Sequence, residues 1–295
     1  MISHALRLCF QLLAKLPLAA NRALGTLLGW LAWLLSPRHR RTVRENLARY
    51  RAFAKVPPAP GLERAAIAAQ GQGLTELAIA WCAPRESIYR LIVSCTGWEH
   101  AEHALKAGRG VLFVTPHLGC YDIAGRYLES RIPVLALYRP PKQEWLAPLM
   151  QAGRVRGEGR TASADARGVR ELLRTLKHGG NVVILPDQVP AAEQGGDGVW
   201  VDFLGEPAFT MTLLPRLAHS TGAAVLFFFA ERLAGGYRVH IEPMDAPYAE
   251  DRVLAARQTN AMVERLIGMA PAQYLWAYNR FKQPAGAPAR PTANS

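Results

Sequence analysis

Residues 111–122 read VLFVTPHLGCYD and join a strand to a reactive pair of side chains. The β-branched and aromatic run 111–115 is typical of a buried strand, and Pro116, which has no N–H to donate, ends it. His117 follows at the carboxyl end, with Asp122 five positions later. A histidine there can take a proton from a hydroxyl while a carboxylate orients its ring, which is the chemistry of acyl transfer. The alternative is a structural histidine with an aspartate at a chance spacing.

Two other strand-like runs also end in polar side chains. Residues 134–138 are followed by Arg139, and residues 182–186 by Asp187. Ligands of open α/β sheets bind outside the carboxyl ends of the strands, so His117, Arg139 and Asp187 are predicted to share one site. For Arg139 or Asp187 taken singly, a helix cap or a surface ion pair is the alternative.

Helical and strand-like patterns alternate along the rest of the chain. They predict helices at 62–82, 98–105, 118–130, 164–178, 210–220 and 253–269, and a strand pair at 223–230 and 237–242. Strands that alternate with helices indicate an α/β fold, with a mixed sheet flanked by helices on both faces. Of the 295 residues, 50% are hydrophobic, so a sizeable core is available.

The positive charge is concentrated at the N-terminus. Of the formal net charge of +12, residues 1–60 carry +9, because ten Lys or Arg residues face one acidic residue, Glu45. A strongly apolar segment at 6–35 lies directly before the basic run 38–51. Lys and Arg beside an apolar helix are typical of contact with anionic lipid headgroups and mark the cytoplasmic side of a membrane segment. We therefore expect a membrane surface as partner, and no nucleic acid.

The apolar segment permits two membrane arrangements. Its uninterrupted part, 23–35, is short for a bilayer span, and extending it back to Leu16 includes Arg22. An interfacial helix is the alternative, because four polar residues fall within an arc of about 80° at 100° per residue: Arg7, Gln11, Lys15 and Arg22. We predict an uncleaved membrane anchor at residues 1–35, followed by one catalytic domain at 36–295.

The four cysteines have no metal-ligand spacing. Cys120 is three residues from His117, so a covalent acyl-cysteine has to be considered. We interpret Cys120 as a small apolar neighbour of the histidine, which is the usual role of a free cysteine. The chain contains no G-x-S-x-G nucleophile motif, P-loop, dinucleotide fingerprint or H-E-x-x-H motif.

An ordered series of motifs between Trp98 and Lys282 resembles the late acyltransferases of lipid A biosynthesis, the lauroyl and myristoyl transferases of the Gram-negative inner membrane. The series reads HLGCYD at 117–122, YRPPK at 138–142, RVRG at 154–157, LKHGGNVVILPDQ at 176–188, VDFLGEPAFT at 201–210 and PAQYLWAYNRFK at 271–282. Order and spacing together are far more specific than any one motif.

The resemblance implies a glycerol-phosphate-acyltransferase-like fold, an acyl carrier protein thioester as acyl donor, and a lipid A precursor whose hydroxyacyl chain supplies the attacking hydroxyl. By the family pattern His117 is the general base and Asp122 its partner, Arg154 is associated with the site, and Asp187 is the acidic residue after the later strand. The family most often has Glu at the position of Asp122, which leaves the exact acceptor open. The resemblance also implies an inner-membrane protein with its catalytic domain on the cytoplasmic side.

The expected chemistry needs no metal or other cofactor, because a thioester is already activated. The acceptor's phosphates call for guanidinium groups, and Arg139, Arg154 and Arg280 are the candidates. For Arg280 a solvated surface position is the alternative. Two other functions remain open at this stage. One is a related acyltransferase acting on another glycolipid, aminolipid or glycerolipid; the other is a basic, non-catalytic protein that binds membranes or nucleic acid.

Overall fold

The computed structural model describes residues 2–57, 60–138, 148, 150, 153, 159–191 and 196–291. Within these ranges the helices are α1 (Ile2–Leu13), α2 (Leu18–Leu35), α3 (Pro37–Ala54), α4 (Pro60–Cys82), α5 (Arg85–Arg90), α6 (Trp98–Lys106), α7 (Tyr121–Glu129), α8 (Ala166–Lys177), α9 (Leu213–Thr221) and α10 (Arg252–Met269). The strands are β1 (Ile92–Thr96), β2 (Val111–Val114), β3 (Leu135–Tyr138), β4 (Arg160–Ser163), β5 (Asn181–Ile184), β6 (Gly198–Phe203), β7 (Glu206–Met211), β8 (Ala224–Leu233) and β9 (Gly236–Pro243).

The described strands form a mixed sheet and a separate hairpin. The sheet has the order β1-β9-β8-β2-β5-β3-β4, in which β8 and β9 pair antiparallel and the other neighbours pair parallel. Strands β6 and β7 pair only with each other. The predicted α/β class, with a mixed sheet flanked by helices, is confirmed.

Helices cover both faces of the sheet. Every residue of β2 and β5 is buried, which is typical of parallel strands with helices on both sides. Alternate β2 side chains enter different clusters: Leu112 and Val114 pack on the face of α8, α9 and α10, whereas Val111 and Phe113 pack on the face of α6 and α7. The sheet therefore holds the carboxyl ends of β2 and β5 side by side within the core.

The structure differs from the predictions at the start of one helix and in a hairpin that was not predicted. The helix expected at 118–130 begins at Tyr121, because the N–H groups of the three preceding residues donate elsewhere, to Pro116, Gln273 and Ala230. The β6–β7 hairpin was not predicted. Its turn residues Leu204 and Gly205 both have positive φ angles, 51° and 78°, and a leucine in such a turn gives no sequence signal.

The N-terminal helices lie against α4. Pro17 separates α1 from α2, and Ser36 caps α3 by accepting a hydrogen bond from the His39 N–H. Among the described residues, α2 is the one helix that is long and apolar enough to cross a membrane by length and composition. It packs along α4, so the segment expected to be an anchor also contacts the rest of the fold.

Candidate active site

His117 and Asp187 meet because of the register between β2 and β5. Val114, the last residue of β2, pairs with Ile184, the last residue of β5, and each polar residue lies three positions beyond its strand end. The Thr115 N–H continues the pairing by donating to the Ile184 carbonyl at 3.1 Å. Parallel strands in register deliver equivalent positions to the same edge, so the two side chains are brought together.

The carboxylate of Asp187 binds His117 at two points. Its Oδ1 lies 2.8 Å from Nδ1 of the ring, and its Oδ2 accepts the His117 backbone N–H at 2.9 Å. The Asp187 side chain is 3% exposed and that of His117 is 14% exposed. On the other side of the ring, Gln188 Nε2 lies 3.1 Å from His117 Nε2. An amide nitrogen can only donate, so Nε2 is the acceptor and Nδ1 carries the proton that Asp187 accepts.

Asp187 stays ionised despite its burial. Burial acts to raise its pKa, but attraction to the protonated form of His117 and the hydrogen bonds from the His117 ring and backbone outweigh it, so the pKa lies below its ordinary value. Tyr274 is buried against the same carboxylate, and burial together with the charge of Asp187 raises the tyrosine pKa well above its ordinary value. The Tyr121 ring also contacts the imidazole in an edge-type arrangement, with ring centroids 4.9 Å apart. The imidazole is therefore held on several sides.

Asp122 does not have the expected position. Its Oδ1 accepts a hydrogen bond from Trp81 Nε1 at 3.1 Å, whereas the ring Nδ1 of His117 bonds to Asp187. The difference has a local cause: the chain turns at Gly119, whose φ angle is 59°, and Asp122 then lies in the first turn of α7. In this geometry the carboxylate bonded to Nδ1 of His117 is that of Asp187 and not that of Asp122. Whether Asp122 takes part in catalysis stays a prediction.

The C-terminal segment 271–282 forms backbone hydrogen bonds with residues 115–120, which connect β2 to α7 and which we call the His117 loop. The Leu275 N–H donates to the His117 carbonyl at 3.0 Å, and the Gly119 N–H donates to the Gln273 carbonyl at 3.1 Å. Leu118 forms an isolated antiparallel bridge with Tyr274. These bonds explain why a motif near the end of the chain belongs with one near its middle.

A buried ionic cluster also bonds to the His117 loop. We call it the Glu76 cluster, and it consists of Arg22 of α2, Glu76 of α4 and Arg232 of β8. Glu76 has a fully buried side chain and accepts from Arg22 Nε at 2.7 Å and from Arg232 Nε at 2.5 Å. Arg232 Nη2 then donates to the Gly119 carbonyl at 2.8 Å. The carbonyl two residues after His117 is thus fixed by a charged side chain.

Cys120 is buried beside this cluster. Burial, followed by the charge of Glu76, raises the pKa of its thiol well above the ordinary value. A thiol that stays protonated at neutral pH is a poor nucleophile, because the thiolate is the reactive form. The environment therefore supports the interpretation of Cys120 as a small apolar neighbour.

Arg280 is buried and bonded to β7. It is 2% exposed, and its guanidinium donates to the Phe209 carbonyl at 2.8 Å and to Thr210 Oγ1 at 2.7 Å while lying over the Phe203 ring. The Nη1 and Nη2 donors of this guanidinium are therefore engaged by β7. Arg280 ties the C-terminal segment to β7, so the alternative of a solvated position is wrong, and the phosphate role stays a prediction.

Two predicted site residues, Arg139 and Arg154, lie outside the described residues. The structure adds residues that the sequence did not single out: Gln188 and Tyr274 around the His117–Asp187 pair, and Glu76 behind the loop. Gln188 and Tyr274 do lie within the quoted motifs LKHGGNVVILPDQ and PAQYLWAYNRFK. Glu76 gave no signal, because its partners Arg22 and Arg232 are distant in sequence.

Across the described part of the chain, no group of three or more His, Cys, Asp or Glu residues could hold a metal ion.

Comparison with known proteins gives a consistent result. Residues 3–283 match the family described as bacterial lipid A biosynthesis acyltransferase. The lipid A biosynthesis palmitoleoyltransferase of Escherichia coli K12 is 30% identical over 280 residues, which cover 92% of this chain and 88% of the relative. The lipid A biosynthesis lauroyltransferase of the same organism is 29% identical over 289 residues, covering 95% and 91%. The myristoyltransferase of that organism is 25% identical over 194 residues, covering 64% and 59%.

Proposed function

Because this chain belongs to the bacterial lipid A biosynthesis acyltransferases and is therefore an acyltransferase enzyme, we propose that it transfers an acyl chain from acyl carrier protein to a hydroxyl of a lipid A precursor. His117 is the general base of this transfer, and Asp187 orients it. The observation that carries the proposal is the hydrogen bond between His117 Nδ1 and Asp187, which leaves Nε2 as the proton acceptor.

The reaction follows from this tautomer. The acceptor hydroxyl displaces the Gln188 amide from His117 Nε2 and gives its proton to that nitrogen as its oxygen attacks the thioester carbon. An ester C–O bond forms and the C–S bond breaks. The departing thiolate then takes the proton from the imidazolium, so the histidine is regenerated. A positioned histidine of this kind contributes about 10² to 10⁴ in rate, and the ionised Asp187 stabilises the imidazolium while it exists.

Roles are also proposed for the remaining candidate residues. Arg139 and Arg154 are proposed to bind the phosphates of the acceptor, a role that rests on the family resemblance and on the fit of guanidinium to phosphate. Asp122 is retained as a site residue that acts from the first turn of α7, where its bond to Trp81 supports a role in holding that helix. No metal or covalent intermediate is needed, since the thioester is activated.

The location proposed for the enzyme is the inner membrane, with the catalytic domain on the cytoplasmic side. The charge of residues 1–60 and the apolar helix α2 support attachment to anionic lipid. Acyl carrier protein is expected in the same compartment as the site. The fold is proposed to be of the glycerol-phosphate-acyltransferase type, which the parallel core strands and the H-x4-D loop support.

A direct assay tests the function. Purified full-length protein is incubated in detergent with acyl carrier protein loaded with defined acyl chains and with one of three acceptors, namely a phosphorylated lipid A precursor, a different glycolipid or glycerol phosphate. Products are identified by mass spectrometry. We expect acylation of the lipid A precursor, and a loss of at least about 10²-fold for His117→Ala with the fold retained. Acylation of glycerol phosphate alone would favour the alternative acceptor class, and full activity of His117→Ala would contradict the mechanism.

A further inference from the structure

The N-terminal helices expose leucine side chains on the side away from α4. On α1 and the turn after it these are Leu8, Leu12 and Leu16, and on α2 they are Leu27, Leu31, Leu34 and Leu35. We call this set the leucine face. Isolated exposed leucines are normal, but a concentration on two consecutive helices is typical of contact with a protein partner or a membrane.

The opposite side of α2 is packed along its whole length. Asn21, Gly25, Gly29 and Trp33 recur every four residues, as expected for one side of a helix, and all four are buried. The contact with α4 is made by the backbones themselves: a Cβ atom at Gly29 would lie 2.3 Å from the Ile67 carbonyl oxygen. Glycine is required where two helices approach this closely. Helix α2 therefore has one packed side and one exposed side.

An ion pair and several hydrogen bonds connect the N-terminal half of α2 to the catalytic domain. Arg22 Nε binds the buried Glu76, and its guanidinium also donates to the carbonyls of Leu233 and Gly236 at the β8–β9 turn. Asn21 Nδ2 donates to the Thr75 carbonyl at 3.2 Å, and Thr75 Oγ1 returns a bond to the Asn21 carbonyl at 3.0 Å. Removing Arg22 from these partners would leave a buried carboxylate with half of its charge compensation lost, which is strongly unfavourable.

A bilayer-spanning α2 is difficult to reconcile with these contacts. To cross the bilayer, α2 would have to leave α4 and expose Arg22, or carry α4 and the β8–β9 turn with it into the hydrocarbon. Charged groups and unpaired backbone are costly there. We therefore propose that α2 lies in the plane of the membrane surface as part of the catalytic domain, with the leucine face of α1 and α2 inserted among anionic lipids.

Charge on the next helix indicates the kind of lipid. Arg38, Arg41 and Arg44 of α3 are exposed directly after the leucine face ends at Leu35. Arg40 donates to the Trp33 carbonyl at 3.3 Å, which ties this basic helix to α2. Apolar insertion beside a row of arginines is the pattern of an interfacial helix on an anionic surface. The inference rests on the membrane location proposed above and replaces a separable anchor at residues 1–35 with a built-in surface.

Vesicle binding tests the leucine face. The full chain with Leu27→Glu and Leu31→Glu is compared with wild type and with Leu254→Glu, a control at a leucine of α10 that is 58% exposed, close to the 55% of Leu27. Flotation uses phosphatidylethanolamine vesicles containing phosphatidylglycerol, at high salt to screen the arginines. We expect the double variant to lose binding by at least about tenfold, with an unchanged melting temperature and an unaffected control. Wild-type binding by the double variant would overturn the proposal.

Side-specific labelling distinguishes lying from spanning. Single cysteines are placed before and after α2 by Lys15→Cys and Arg38→Cys, in a chain whose native cysteines are replaced by alanine. A membrane-impermeant maleimide is added outside sealed vesicles. An in-plane helix gives labelling of both positions from the same side, and labelling from opposite sides overturns the inference. The result is independent of catalysis: acyl transfer by a spanning protein overturns only the inference, and an in-plane protein without acyl transfer overturns only the proposed function.

Discussion

The His117–Asp187 pair and the Glu76 cluster both hold the His117 loop, but their charged groups differ in chemistry. Asp187 faces one imidazole, whose other nitrogen lies, among the described residues, beside the exchangeable amide of Gln188. Glu76 lies between two guanidinium groups, and one of them also binds the Gly119 carbonyl. An imidazole can give up its proton near neutral pH, whereas a guanidinium cannot. The first group is therefore suited to move a proton, and the second to hold the loop in place at every physiological pH.

The largest loss of activity is expected when Asp187 is replaced. Asp187→Asn removes the anion that accepts from His117 Nδ1, so the ring can adopt the wrong tautomer and the imidazolium loses its stabilising charge. We expect kcat to fall by about 10²- to 10⁴-fold, close to the effect of His117→Ala, with little change in KM. Steady-state kinetics with acyl carrier protein thioester provide the measurement.

Asp122→Asn is the matched comparison for that change, because both aspartates are candidate partners of His117. We expect a smaller loss than for Asp187→Asn, since the Asp122 carboxylate bonds to Trp81. Asp122→Glu should keep substantial activity, as the family resemblance implies. A greater loss for Asp122→Asn than for Asp187→Asn would reassign the partner of the histidine.

Glu76→Gln should act on stability rather than on proton transfer. The change leaves Arg22 and Arg232 buried without their shared anion, and breaking a buried ion pair in this way costs about 3–5 kcal/mol in the free energy of unfolding. Glu45→Gln is the control, because its pair with Arg41 is exposed and should contribute little to stability. Chemical denaturation measures both. Equal stability of the two variants would show that the Glu76 cluster does not hold the fold.

Arg280→Lys separates a structural arginine from a phosphate ligand. Lysine cannot reproduce the bonds to the Phe209 carbonyl and Thr210, so we expect a lower melting temperature and an unchanged KM for the phosphorylated acceptor. A rise in that KM without loss of stability would support the binding role.

A small change is expected for Cys120→Ala. The buried thiol has a raised pKa and no place in the proposed transfer, so activity should stay within a few-fold of wild type. Trapping an acyl thioester on Cys120 during turnover, detected by intact-protein mass spectrometry, would instead require a covalent mechanism.

The smallest effect is a pH dependence of stability carried by Asp187. Its pKa is lower in the folded than in the unfolded chain, so the stabilisation it gives is complete above its unfolded pKa of about 3.9 and is lost as pH falls through the folded pKa. The difference in unfolding free energy between wild type and Asp187→Asn should therefore shrink as the pH is lowered from 6 to 3. A difference that grows toward low pH contradicts this assignment.

The sequence by itself determined the α/β class, the β8–β9 strand pair and the placement of His117 and Asp187 at strand ends. These features depend on local patterns: apolar runs bounded by proline or glycine, and motifs in a fixed order. The family also followed from those motifs, and the comparison with relatives confirmed it. Strands β1 and β4 were missed because they are short and partly exposed, so they have no continuous apolar run.

Only the tertiary structure decided which charged groups meet. Asp122 is the nearer carboxylate to His117 in sequence, but the register of β2 with β5 brings Asp187 to the ring and the turn at Gly119 directs Asp122 elsewhere. Arg22 interrupts an apolar segment when the sequence is considered alone, yet it pairs with Glu76, 54 residues away. Arg280, taken for a phosphate ligand, is buried in the core. The physical reason is the same in each case: an ionised side chain is stabilised by the partner that folding brings to it, and sequence distance does not specify that partner.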